Sequence, residues 1–417
     1  MAFTALLLVA VSVVLPGGTG TAAFAQDLRG HGGPVSALVV EGGKALSGSF
    51  DTRVLLWDIG SGTARRALRL HEGNVTAVAF LPDGRLVSGG QDGRVVVWGA
   101  DGAPERVETL HEAPVAALSV AAESVASAGW DGRIFVMDGD DAPRQQGGHD
   151  GQVTGLARLP DGRLVSVGAD LRLVVWDGGA PAASIGLPAQ PNDLAMAGDV
   201  AAVVFADGAL RLVSPLDGVL RERFLADRPL IAVAAAEGRL AVAAIEGTVW
   251  VLDAEGQDPP LSIAPGQGPV WSLALAGGEL FTGGGDGIVR RWDATTGDPL
   301  SVAAPDDPRV AQLTADGSRG AEVWRACAVC HSLGPDDGNR AGPTLHRIFG
   351  RRIATLPGYE FSPALRGMDI VWTPETVSEL FEHGPDAYTP GSRMPDQRIT
   401  DAGDRAALME FLARASE

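Results

Sequence analysis

The stretch "HEGNVTAVAFLPDGRLVSGGQDGRVVVW", residues 71–98, decides how most of this 417-residue chain folds. Apolar residues alternate along it, a Gly-rich turn divides it, and Asp92-Gly93 precedes a run that ends in Trp98. Period-two alternation broken by Asp-Gly reads as antiparallel strands joined by tight hairpins. Copies begin at His31, His111 and His149, weaker ones near Ala189 and Asp227, and a clear one at Gly266. Successive copies start 38 to 40 residues apart, and the seventh ends near Asp293.

About four strands per forty residues is the pattern of a propeller blade. The internal spacing repeats as well. An Asp stands six residues before the Trp position at 51→57, 92→98, 131→137, 170→176 and 286→292. Four residues before each Asp stands a hydroxyl: Ser47, Ser88, Ser127, Ser166 and Thr282. Residues from about 31 to 304 resemble the WD40 family, strongly in repeats one to four and seven. The resemblance implies an all-β, seven-bladed propeller over 26–304. It also implies a buried hydrogen-bonded set of His, Ser, Asp and Trp in each blade, such as His71, Ser88, Asp92 and Trp98. Met137 replaces the Trp in repeat three, and repeat seven lacks the opening His, so those two sets are expected to be incomplete. A His, a Ser and an Asp together also suggest a hydrolase triad. One active site is not built several times in one chain, so the scaffold reading is preferred. Two segments compete for the last outer strand, 299–304 and Gln26–Gly30.

Hydrophobic residues make up 45% of the chain and charged ones 20%, which excludes a disordered chain. The net charge of −19 argues against nucleic-acid phosphate as a partner. Residues 2–15 are almost wholly apolar, and Ala23-Phe24-Ala25 supplies small residues two apart. That reads as a signal peptide over 1–25, cut after Ala25, and places the mature protein in the bacterial periplasm. No Lys or Arg precedes the apolar run, so an uncleaved anchor is the competing reading. Nothing else approaches the 18 or so apolar residues of a transmembrane helix.

After a linker over 305–318 the periodicity becomes helical, at 319–331 and again at 401–417. Cys327-Ala328-Val329-Cys330-His331 is the c-type haem attachment pattern. Two thiols add to the two haem vinyl groups, and the following imidazole faces the iron. A thioredoxin-like pair needs a βαβ setting that is absent. Half a zinc site needs further ligands, and the chain has no third Cys.

Residues from about 319 to 417 resemble a class I cytochrome c of the mitochondrial or c2 type. The features that carry the resemblance are Gly342-Pro343, Leu345, Phe349-Gly350-Arg351, the "GYEFSPAL" run at 358–365, Trp372, "YTPGSRMP" at 388–395 and the terminal helix. The resemblance implies a small all-α domain holding one covalent haem c on Cys327 and Cys330. His331 and Met394 are implied as the axial iron ligands, with Arg351 and Trp372 on the propionate side. His346 and His383 are rivals to Met394, while Met368 and Met409 read as packing residues. Phe361 and Leu380 stand where the family has tyrosines. Asp386 and Ala387 stand where its basic docking residues are expected, leaving Arg340, Arg351, Arg352 and Arg393 for a local basic rim.

These features point to a periplasmic electron carrier rather than an enzyme, with the propeller docking a protein redox partner. Two alternatives remain at this point: a propeller oxidoreductase that feeds its own haem, and a scaffold whose assembly is gated by haem redox state.

Overall fold

The structure is a computed structural model that describes residues 26–255, 259–300, 317–328, 331–334, 342–357, 359, 361–390, 392, 394 and 398–416. The expected signal peptide and most of the expected linker lie outside these residues.

Seven four-stranded antiparallel sheets follow one another along the chain. The second is representative: strands Val75–Phe80, Leu86–Gly90, Arg94–Trp98 and Pro104–Thr109 run from the inside outward. Burial follows position in the blade. The second strand is buried throughout, whereas the outermost is largely exposed. The apolar cores lie between neighbouring sheets. Val165, Val167 and Leu173 of the fourth blade pack against Ala201, Val203 and Phe205 of the fifth. Leu46 and Val54 of the first likewise meet Leu86, Val96 and Trp98 of the second. Each such side chain contributes about 1.5–3 kcal/mol on burial, which ties each blade to the next.

Every innermost strand carries a register shift after its first residue: Val35/Ala37, Val75/Ala77, Val115/Ala117, Val153/Gly155, Pro191/Asp193, Leu230/Ala232 and Val270/Ser272. A bulge frees one residue from the ladder and re-aims its side chain. Four of the freed residues cross to the next blade. Ser36 Oγ donates to Val75 O at 2.5 Å, Thr76 Oγ1 to Val115 O at 2.5 Å, and Thr154 Oγ1 to Pro191 O at 3.0 Å. Asn192 Nδ2 donates to Leu230 O at 2.7 Å. In the seventh blade the freed residue is Trp271, and the paired Ser272 beside it closes the ring, its Oγ donating to Val35 O at 3.0 Å.

Both segments expected to compete for the last outer strand take part. Leu28 and Arg29 pair with Val289 and Ile288 at one end of the strand Ile288–Asp293. At its other end Pro299 bridges Trp292, and Leu300 N donates to Arg291 O at 2.9 Å. Leu28 is fully buried, so closure hides an edge that would otherwise invite pairing with another chain.

The remainder is helical: α1 Arg319–Ala328, α2 Pro363–Arg366, α3 Pro374–His383, α4 Pro385–Tyr388 and α5 Ala402–Ala415. Thr373 caps α3 in a reciprocal capping box, and Asp401 caps α5 through Asp404 N. Helices α1 and α5 cross closely. Trp324 stacks on Phe411 with ring centres 6.0 Å apart, and Arg319 holds Asp404 through two bonds of 2.7 Å. A Cβ on Gly320 would lie 2.3 Å from Ala407 O, so this crossing requires glycine. Among the described residues no helix is long and apolar enough to cross a membrane.

Candidate functional site

A mostly apolar cavity of ≈ 180 Å³ opens between α1, α3 and α5. Cys327, His331 and Met394 line it, together with Leu345, Trp372, Leu380 and Phe381. The end of α1 delivers Cys327, which is buried, and the chain then turns so that His331 N still bonds Cys327 O at 2.9 Å. Cys330 lies outside the described residues.

The imidazole of His331 is oriented by its own backbone neighbourhood. Its Nδ1 stands 2.8 Å from Pro343 O. A carbonyl only accepts, so Nδ1 carries the proton and Nε2 keeps its lone pair as a donor atom for a metal. Gly342 makes room for the ring, because a Cβ there would sit 2.2 Å from His331 Cε1. Met394 is half-buried, and its N–H is held by Ser392 Oγ at 3.1 Å.

Arg351 reaches the same cavity. It donates to His346 O at 3.1 Å and Thr344 O at 2.8 Å, and no carboxylate among the described residues pairs with it. Burial pulls its pKa below the usual guanidinium value. A half-buried cation facing an apolar cavity without a counter-ion fits an anionic ligand group. Trp372 lines the same wall, and its backbone pairs with that of Arg351 at 2.9 Å.

The rival residues lie elsewhere. His346 and His383 are not among the lining residues; His383 is exposed and stacks on Tyr388 at 6.4 Å. Met409 belongs to the core beside α1, and Met368 is half-buried away from the cavity. Phe361 and Leu380 present hydrocarbon to it. Arg352 is exposed and pairs with Asp369 at 3.4 Å, whereas Arg340 and Arg393 lie outside the described residues.

In the propeller, His31, His71, His111 and His149 each bond an Asp through Nδ1 and a Ser through Nε2, all between 2.7 and 3.0 Å. In three of these sets the Trp Nε1 completes the array at 2.8 Å, from Trp57, Trp98 and Trp176. Burial works against the charge of Asp51, but His31, Arg53 and the Gly32 N–H outweigh it and hold the carboxyl well below its usual value. Met137 leaves the third set without a Trp donor, as the repeat pattern predicts. The seventh set departs from expectation because Gln267 completes it. Gln267 Oε1 accepts from Thr282 Oγ1 at 2.6 Å, its Nε2 donates to Ile288 O at 2.7 Å, and Trp292 Nε1 reaches Thr282 at 3.0 Å. Gln267 stands one place after the repeat's usual His position, so comparing repeats column by column misses it.

Comparison with known proteins bears on both halves. A cytochrome c from Stellaria longipes is 36% identical over 98 residues, covering 23% of this chain and 90% of that protein. The chain belongs to the cytochrome c family. Cytochrome c2 from Blastochloris viridis is 36% identical over 111 residues, covering 27% of this chain and 84% of that one. In this cytochrome c family member the matched length is about a quarter of the sequence. The WD domain, G-beta repeat model matches residues 23–58, 62–99 and 143–177. The crystal structure of the computationally designed Ika8 protein superposes with a TM-score of 0.52 at 28% identity, covering 66% of this chain and 89% of that one. The protein therefore joins WD40 repeats, folded as a seven-bladed propeller, to a cytochrome c sequence.

Proposed function

We propose that this protein is an electron carrier: a small all-α cytochrome c domain holds one haem c, and the propeller docks its protein redox partner. The observation that carries this reading is the convergence of Cys327, His331, Met394 and Arg351, which has no carboxylate partner among the described residues, on one apolar cavity. The donor set suits haem: a thiol, an imidazole and a thioether line one mostly apolar cavity. The His331 imidazole, with its Nε2 free of protons, and the Met394 thioether would hold a haem iron.

When bound, the haem supplies one-electron Fe(II)/Fe(III) chemistry. The chain's residues do the rest. Cys327 and Cys330 tether it covalently. Pro343 O fixes the tautomer of His331, and Gly342 gives the ring its place. Met394 favours the reduced iron, and the aliphatic lining of Leu345, Leu380 and Phe381 keeps water away. Arg351, with Trp372 beside it, receives a propionate. His331 and Met394 would hold the haem's iron, and the group would then supply electron transfer. Export to the periplasm, directed by residues 1–25, fits covalent haem attachment outside the cytoplasm.

The test is expression in a host that attaches c-type haem. A single haem that resists acid-acetone extraction, with a low-spin spectrum, is expected. Cys327→Ser with Cys330→Ser should abolish the covalent pigment, and Met394→Ala should give a high-spin, ligand-accessible iron. An extractable pigment, or an unchanged spectrum in Met394→Ala, overturns the assignment.

A further inference from the structure

The propeller carries a second site that the haem chemistry does not use. Where the inner strands begin, residues of every blade but the sixth line a cavity of ≈ 540 Å³ at the mouth of the central channel. Three positions recur in each blade at this end, and in blades two to four all three line the cavity: the bulge residue, the residue two before it, and the turn residue whose N–H bonds that second residue's carbonyl, as Gln91 N does to Asn74 O at 2.7 Å. Across seven blades these positions hold no charged residue, although 20% of the chain is charged. An acidic protein has here set aside a neutral ring.

The ring is not inert. Phe50, Trp130 and Trp271 line it, with Phe50 and Trp130 exposed and the Phe50 and Trp271 rings 6.2 Å apart at a tilt of 34°. Between these aromatics stand the carboxamides of Asn74, Gln91 and Gln152, whose side chains make no hydrogen bond among the described residues. Each carboxamide offers both a donor and an acceptor. Flat apolar faces, paired donor–acceptor groups and no charge match a sugar ring, which has an apolar C–H face and hydroxyls that both donate and accept. A cationic ligand is disfavoured because no carboxylate faces it. A proline-rich segment offers acceptors but few donors, since proline has no N–H, and would leave the amide oxygens unpaired.

We propose that the channel mouth is a binding site for a neutral oligosaccharide, stacked on Trp130 and Trp271 and hydrogen-bonded by Asn74, Gln91 and Gln152. The site is independent of the haem reading, and its test uses the whole haem-loaded protein. Neutral tetrasaccharides of glucose and of N-acetylglucosamine, in α and β linkages, are titrated against tryptophan fluorescence and by calorimetry. Saturable binding of at least one is expected. Trp130→Ala and Gln91→Glu, both at exposed positions, should each weaken it about tenfold or more, with thermal stability and haem spectrum unchanged. The proposal fails if no member of the panel binds below about 10 mM. It also fails if binding survives both substitutions, or if a proline-rich peptide and not a sugar proves to be the ligand these substitutions abolish.

Discussion

The carboxyl of Asp193 spans a blade boundary: one oxygen accepts Leu194 N at 2.8 Å within the fifth blade, and the other accepts Val233 N of the sixth at 2.9 Å. By register, the other blades place Ala37, Ala77, Ala117, Gly155, Ala232 and Ser272 at this point. A carboxyl thus occupies a slot otherwise kept for small residues. Burial pushes it up to about 7, and the two backbone N–H groups only partly offset that. Between the ordinary carboxyl value of 3.8 and about 7, the folded state therefore binds more protons than the unfolded one. Stability from this group is full below pH 3.8 and is lost as pH rises through about 7. The loss is on the order of a few kcal/mol. Asp193→Asn should flatten the fall in melting temperature between pH 4 and pH 7, and an unchanged slope would refute this.

The blade sets predict a graded response to one atom. Ser88 Oγ serves two partners, His71 Nε2 and Trp98 Nε1, both at 2.8 Å. Ser127 Oγ serves His111 alone, because Met137 replaces the Trp. Ser88→Ala orphans two buried groups and Ser127→Ala one, at about 1–3 kcal/mol for each. Denaturant titration should rank Ser88→Ala as the more damaging, with the haem spectrum unaffected in both. Equal losses would mean that the Trp contact contributes little.

Most of this architecture was legible in the sequence because its signals are periodic. The alternating strands recur in seven repeats and the hydroxyl–Asp spacing in five, and recurrence separates signal from chance. The candidate site stands out for the opposite reason: Cys327-Ala328-Val329-Cys330-His331 is a single motif with a specific chemical purpose. What escaped was what depends on geometry between repeats. The bulges that turn Ser36 and Thr76 toward the next blade leave no mark in the alternation. Gln267 hides by being displaced one position. The shared closure by Leu28 and Pro299 escapes because a sequence does not show that two short segments divide one edge.

The turn after each blade's Asp needs a left-handed residue. Gly93 and Gly132 supply it with φ of 73° and 82°, but Thr52 and Leu171 hold φ of 67° and 60° there. Side chains in this region cost roughly 1–2 kcal/mol relative to glycine. Leu171 is also 40% exposed and gives back little by packing. Leu171→Gly should raise the melting temperature, partly offset by the greater freedom glycine gives the unfolded chain. A drop would show that the Leu171 side chain contributes more than its exposure suggests.

Glycine at 342 allows the Pro343 carbonyl to reach His331 Nδ1 while the ring passes over the backbone. A methyl there would stand 2.2 Å from Cε1 and 2.5 Å from Nδ1, far inside contact distance. The neighbouring backbone is fixed by Leu345 N bonding Ser332 O at 2.8 Å, so the ring must yield. Gly342→Ala should therefore tilt His331 off its Pro343 acceptor while both thioether links still form. The expected product is a covalent haem protein with weakened axial ligation, read as a high-spin component in absorption and resonance Raman spectra and as faster binding of added imidazole. A fully low-spin spectrum would show that the loop from 342 to 345 moves freely, and that glycine is not what positions the ligand.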